Sequence, residues 1–205
     1  MTHAPSTAHP APLETTTGLS HRKILMWAFL ASDCMLFGSL IASYLLYRGN
    51  SLVGPYPHEV FNIPYTSISA FVLLMSSLTM VLALSAIQRG NMRGLKVWLL
   101  ATALLGAVFV GGQYFEFTTF VHEGLSIKTN LFGTTLYVLT GFHGTHVTIG
   151  IIILLSFFVV AMRGRITPEQ HLNIELAGLY WHFVDVVWIV IFTVVYLMEA
   201  PNIIT

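Results

Sequence analysis

Charge is what this sequence has least of. Charged residues make up 9% of its 205 residues, against about 25% in ordinary soluble domains. A soluble fold of that size could not cover its surface with so few charges. Most of its sides must therefore face a non-aqueous solvent, and that solvent is lipid. Neither sign is in excess: the formal net charge is +0 with histidines neutral. No nucleic-acid partner is expected, because the excess of positive charge that binds phosphates is missing. There is a single cysteine, Cys34, inside an apolar run. It cannot form a disulfide framework or a CxxC metal site within the chain, and a lone apolar cysteine is expected as a small core residue. The opening segment is rich in Thr, Ala, Pro and His. It lacks the apolar stretch of about 7–15 residues that a cleavable signal peptide needs. Residues 1–21 are expected to be a disordered polar tail, and the first spanning helix is expected to direct insertion itself.

What is present is apolar length. Hydrophobic residues make up 55% of the chain. A spanning helix needs about 20 mostly apolar residues, and five stretches qualify: 24–47, 64–87, 95–118, 134–162 and 175–198. Polar residues, glycine or proline bound each one, as at Arg48-Gly49-Asn50, Arg89-Gly90-Asn91, Arg163-Gly164-Arg165 and Ala200-Pro201-Asn202. A membrane barrel would instead show alternation of period two. The fold class expected is all-α, an integral membrane bundle of five transmembrane helices over 22–200, with 201–205 a short outer tail.

The basic residues give the bundle a direction. Arg22, Lys23, Arg89, Arg93, Lys96, Arg163 and Arg165 fall on one side, and only Arg48 and Lys128 on the other. Positive charge stays on the cytoplasmic side. The amino terminus is therefore expected inside and the carboxyl terminus outside. A missed or spurious span would scramble this asymmetry.

The informative residues are those that are costly at depth, because ionisable groups inside spans find partners and mark function. The first span carries Asp33, near mid-membrane. The third carries Gln113 and Glu116, the fourth His143 and His146, and the fifth His182 and Asp185. Each of the three pairs sits at i, i+3, which puts both side chains on one helical face. Each pair is therefore expected to point at one neighbour. Four readings fit these residues. They can satisfy one another as interhelical hydrogen bonds. They can hold a metal, although His-x-x-His, His-x-x-Asp and Gln-x-x-Glu do not match the Glu-x-x-His repeats of di-iron bundles. Two histidines can ligate a heme across the bundle. Asp33 can serve a proton relay, because burial disfavours its anion unless a partner stabilises the charge. Gly38, Ser39, Gly106, Gly111, Gly112, Gly141, Gly144 and Gly150 let backbones approach closely, with a tight contact expected near the histidines. Trp98, Tyr114, Phe115 and Tyr180 read as interface or packing residues.

Four segments together resemble one family. The fifth span contains Trp181-His182-Phe183-Val184-Asp185-Val186-Val187-Trp188. The fourth contains Thr140-Gly141-Phe142-His143-Gly144-Thr145-His146-Val147, followed by Gly150. The first contains Ser32-Asp33, and the third ends in Tyr114-Phe115-Glu116. In order and separation these resemble subunit III of the heme-copper respiratory oxidases, in the short five-helix bacterial form. The resemblance covers roughly residues 22–198.

It implies a subunit that carries no heme or copper itself, those groups being held by partner subunits, with bound phospholipid expected. It implies direct contact with the catalytic subunit I, company from subunit II and a small subunit IV, and a place in the bacterial cytoplasmic membrane. The implied role is to stabilise subunit I and support its proton uptake, in a complex that reduces oxygen to water and pumps protons. The enzyme would be the complex; no active site is expected in this chain. The electron donor implied is cytochrome c, favoured by Glu175 with His171 nearby. Ser32-Asp33-Cys34 and the 192–198 segment look closer to bo-type ubiquinol oxidases. The family's carbodiimide-reactive glutamate falls on Asp33. Leu84 and Ser85 stand where the family often has a histidine, so Asp33 needs another partner. Gln113, Glu116, His143, His146, Glu175, His182 and Asp185 become an interhelical polar network. A free-standing membrane di-metal enzyme is the reading of another class.

Overall fold

A computed structural model of the chain describes residues 20–48 and 61–198. The expected tail, except for Ser20 and His21, and the 201–205 segment lie outside the described residues. Within them the chain is helical throughout, without strands. We number the helices α1 (His21–Tyr47), α2 (Ile63–Gln88), α3 (Met92–His122), α4 (Leu131–Met162) and α5 (His171–Ile191). A single 3-10 turn, Pro168–Gln170, leads into α5, and a π turn, Phe192–Leu197, continues it. Five helices are long and apolar enough to cross a membrane. They match the five expected stretches and run a few residues longer at several ends. His21, assigned to the tail by its sequence, opens α1.

The punctuation seen in the sequence has a defined geometry. Gly90, Gly124 and Gly164 have φ of 70°, 87° and 67°. Each follows a helix and closes it with paired hydrogen bonds, such as Asn91 N to Ala86 O and Gly90 N to Ile87 O. These are helix ends in which a left-handed residue, favoured as glycine, turns the chain out. After Gly90 and Gly124 the next helices, α3 and α4, start on asparagine caps. The Asn91 side chain accepts from Gly94 N at 2.9 Å, and that of Asn130 from Gly133 N at 2.7 Å. The α2–α3 connection is thus one Gly-Asn step that stops one helix and starts the other.

Helices α2, α3, α4 and α5 form a four-helix unit in which α2 and α3 pack most extensively and α5 touches both α2 and α4. Helix α1 leans on α4 and α5. It buries one stripe, Leu30, Asp33, Phe37 and Tyr44. Cys34 lies beside that stripe, at the edge of the α1–α5 contact, and is exposed. This overturns the expectation of a core cysteine: α1 is peripheral, so an apolar position on it faces outward as readily as inward. Ring contacts fix the directions. Phe29 meets Tyr180 and Phe37 meets Phe183, so α1 and α5 run parallel. Phe61 meets Tyr196 while Ser77 meets His182, so α2 runs against α5. We call the end where α1, α3 and α5 start the near end, and the other the far end.

One aromatic side chain sits where four helices meet. Trp181 of α5 is 1% exposed, and its Nε1 donates to Ser76 Oγ of α2 at 3.0 Å. Its ring lies against Gly106 of α3 and Gly150 of α4. A Cβ on Gly106 would sit 2.5 Å from Trp181 Cη2, and one on Gly150 would sit 2.8 Å from two ring carbons. Absent side chains on α3 and α4 make the slot that the indole fills. Gly111 has nothing within 4 Å of a Cβ. Gly106→Ala and Gly150→Ala are therefore expected to overpack the bundle at a cost of about 1–3 kcal/mol each, while Gly111→Ala is neutral. Thermal melting of the three purified variants in mild detergent checks this, and equal melting of all three would remove Trp181 as the organising contact.

Candidate functional site

The polar residues of the spans do not form one network; the structure distributes them over separate small sites. Each i, i+3 pair was expected to face one neighbour; Gln113 with Glu116 and His143 with His146 do not, while His182 and Asp185 both lie against Ser77 of α2. Three residues turn a helix by about 300°, leaving the two side chains about 60° apart and one pitch fraction offset. In a tight bundle that angle is enough to reach different neighbours.

Gln113 and Glu116 show the split. Gln113 Nε2 donates to Thr140 O of α4 at 2.8 Å. Its Oε1 lies so close to Gly144 that a Cβ there would be 2.6 Å away. This is the tight glycine contact expected near the histidines. Glu116 turns the other way, towards the far end of α2 and α5. Thr66 Oγ1 donates to its Oε1 at 2.7 Å and Tyr196 Oη to its Oε2 at 3.2 Å. The π turn at the end of α5 carries Tyr196. Both hydroxyls are buried with the carboxyl.

The fourth-span histidines also part company. His143 is fully buried, and its Nε2 lies 3.2 Å from Val184 O of α5. A carbonyl only accepts, so Nε2 carries the proton. Aromatic rings enclose it, with Trp188 at 4.8 Å and Phe109 at 5.8 Å between centroids. His146 faces α1 instead. Its Nδ1 is 2.8 Å from Phe142 O and therefore bears a hydrogen. Its Nε2 lies 3.6 Å from Asp33 Oδ2. At that distance the two groups face each other across the α1–α4 seam without a direct hydrogen bond. This gives Asp33 the partner that positions 84 and 85 could not supply.

In the fifth span, His182 Nδ1 is 2.6 Å from Ser77 Oγ of α2. Asp185 is 3% exposed and sets its carboxyl against the same Ser77, without a close hydrogen bond. Glu175 stands apart from the other polar residues, paired with Lys23 of α1 at the near end. Among the described residues no three His, Cys, Asp or Glu side chains gather as a metal site would need.

Several key partners were not singled out from the sequence: Ser76, Ser77, Thr66 and Tyr196. Their only signal is proximity across long separations, such as the 105 residues between Ser77 and His182. Removing one partner of a buried pair leaves the others unsatisfied at about 1–3 kcal/mol. Glu116→Ala is therefore expected to lower the detergent melting temperature clearly, and Glu116→Gln less so. Thr118→Ala, whose hydroxyl bonds only its own helix, is expected to leave it unchanged.

The family model for cytochrome c oxidase subunit III matches residues 14–200. The chain is 40% identical over 199 residues to quinol oxidase subunit 3 of Bacillus subtilis (strain 168), covering 97% of this chain and 98% of that one. It is 38% identical over 189 residues to cytochrome c oxidase subunit 3 of Bacillus sp. (strain PS3), covering 92% and 91%. It is 36% identical over 172 residues to cytochrome bo(3) ubiquinol oxidase subunit 3 of Pseudomonas putida, covering 84% and 83%. A match of this length, laid over a five-span bundle whose signature residues sit at its helix contacts, makes the chain a member of the cytochrome c oxidase subunit III family.

Proposed function

We propose that this chain is the non-redox accessory subunit III of a proton-pumping terminal oxidase that reduces oxygen to water. The match over nearly its whole length to subunits 3 of such oxidases carries this reading. Its direct partner is the catalytic subunit I, with subunit II and a small subunit IV in the same complex and heme and copper in the partners. The donor is cytochrome c, as named for the Bacillus sp. relative. A quinol donor is the second reading, and the 40% identity to a quinol oxidase subunit 3 favours it. The membrane is the bacterial cytoplasmic membrane. The seven-to-two division of basic residues puts the near end, with Arg22 and Lys23, on the cytoplasmic side.

Two features of the bundle support the role. Most polar side chains at depth are engaged between helices, as a stabilising scaffold requires. The exception suited to proton support is the Asp33–His146 pair, two ionisable side chains that face each other between α1 and α4 at 3.6 Å. His146 also lines a groove of about 340 Å³ between α1, α4 and α5. Arg22 and Asn173 stand at the near-end mouth of this groove, and Met26, Phe29 and Ile153 are among its apolar walls. That arrangement suits a phospholipid with its headgroup at the cytoplasmic face. Asp33, beside His146, is the carboxyl expected to react with a carbodiimide.

Purification of the tagged chain in mild detergent is expected to bring down heme-bearing chains in fixed stoichiometry, and the complex to oxidise reduced cytochrome c in preference to ubiquinol. The reverse preference selects the second donor. A chain that purifies alone with a stoichiometric metal would overturn the reading in favour of a free-standing metalloenzyme. Asp33→Asn is expected to keep normal subunit levels, to abolish carbodiimide labelling of this chain and to shorten the complex's active lifetime during turnover. Unchanged labelling and lifetime would reduce the chain to a scaffold without a part in proton uptake.

A further inference from the structure

Helix α5 is the most buried of the five, yet one line along it stays open. His182, Val186, Ile189 and Thr193 follow one another at i, i+4, i+7 and i+11 and are exposed or half-exposed. Helices α1 and α2 both pack on α5 but share at most marginal contact with each other, so they wall this line on either side. The α1 side holds a cavity of about 420 Å³ that Ala31, Cys34, His182 and Val186 line. The α2 side holds one of about 280 Å³ that Ser67, Ala70 and Ile189 line. Together they make a groove whose floor is α5. Small residues stand on both walls among larger ones, Trp27 on the α1 side and Phe71 on the α2 side, which gives the groove an uneven apolar lining.

The floor has a polar atom at mid-span. His182 Nδ1 is committed to Ser77. Nε2 of the same ring has no hydrogen-bond partner among the described residues, and the residue lines the open cavity. Residue 182 falls at the middle of the 168–197 span, far from either interface. An acyl chain offers that nitrogen nothing, and polar groups at this depth are found facing protein or water. A helix can bring a side chain to it.

Resting on the subunit III reading, we infer that the groove between α1 and α2 docks one transmembrane helix of another oxidase subunit, which sets a hydrogen-bonding side chain against His182 Nε2. The apolar positions Val186 and Ile189 supply the packing, and His182 fixes the register.

A photo-crosslinking amino acid placed at Val186 or Ile189, in the assembled complex in native membranes, tests this. Both positions are expected to give an adduct with one transmembrane segment of a partner subunit. The same probe at Ile152, exposed on α4, serves as the lipid-facing control. The two nitrogens separate docking from internal packing. His182→Asn keeps a hydrogen-bonding group near the Nδ1 position for Ser77 and loses Nε2. His182→Gln reaches the Nε2 position and loses Nδ1. Docking predicts that His182→Asn releases the subunit from the complex about threefold more readily in detergent, the size of one interhelical hydrogen bond, and that His182→Gln is retained. The opposite ranking would make His182 a purely internal residue and overturn the proposal. Adducts with lipid alone, or with a second copy of this chain, at Val186 and Ile189 would also overturn it, while co-purified heme chains would leave the subunit III reading standing. A chain without heme-bearing partners would remove both.

Discussion

The indole of Trp181 needs space that only glycine can leave. Gly106 and Gly150 face it from two helices, and Ser76 takes its Nε1 hydrogen from a third. Close packing and polar satisfaction are thus met at one point, which ties α2, α3, α4 and α5 together. In lipid, packing of this kind has to do what the hydrophobic effect does in water, because lipid tails are as apolar as the helix surfaces. The geometry of every site described above depends on those four helices holding these positions. Helix α1 makes no part of this contact, and its independence explains its single buried stripe and its outward Cys34.

The division of the polar residues follows from the same packing. A bundle with α5 in contact with α1, α2 and α4 presents a different neighbour about every 60–100° around each helix. Side chains three residues apart then serve different seams. Glu116 ties the far end of α3 to α2 and α5. Gln113 ties α3 to α4, and His143 ties α4 to α5. His146 ties α4 to α1 through Asp33. Each seam receives one or two polar contacts within the spans, where an unpaired group is costly. That is a way to fix the register of helices whose surfaces are otherwise interchangeable.

Two of these groups are not simply used up by packing. Asp33 and His146 face each other across the α1–α4 seam as an ionisable pair at 3.6 Å, and the other nitrogen of the ring is hydrogen-bonded to a carbonyl. His182 turns one nitrogen inward to Ser77 and leaves the other at a groove. Both sit on α1-facing sides of the bundle. The peripheral helix thus borders both of these polar groups.

The sequence by itself determined the class of solvent, the five spans and their glycine and asparagine boundaries, because these depend on length, apolarity and local backbone preference. It also named the residues that matter at depth, because charge in hydrocarbon is rare enough to stand out. It did not determine which of them meet. Spacing of i, i+3 suggested shared partners for Gln113 with Glu116 and for His143 with His146, and the structure assigns each a different one. The partners themselves, Ser76, Ser77, Thr66 and Tyr196, are ordinary residues of apolar helices and carry no local signal. Pairing across a bundle depends on how helices are rotated about their axes, and that rotation is set by the fit of side chains such as Trp181 against glycines more than 30 residues away. Only the folded chain holds that information.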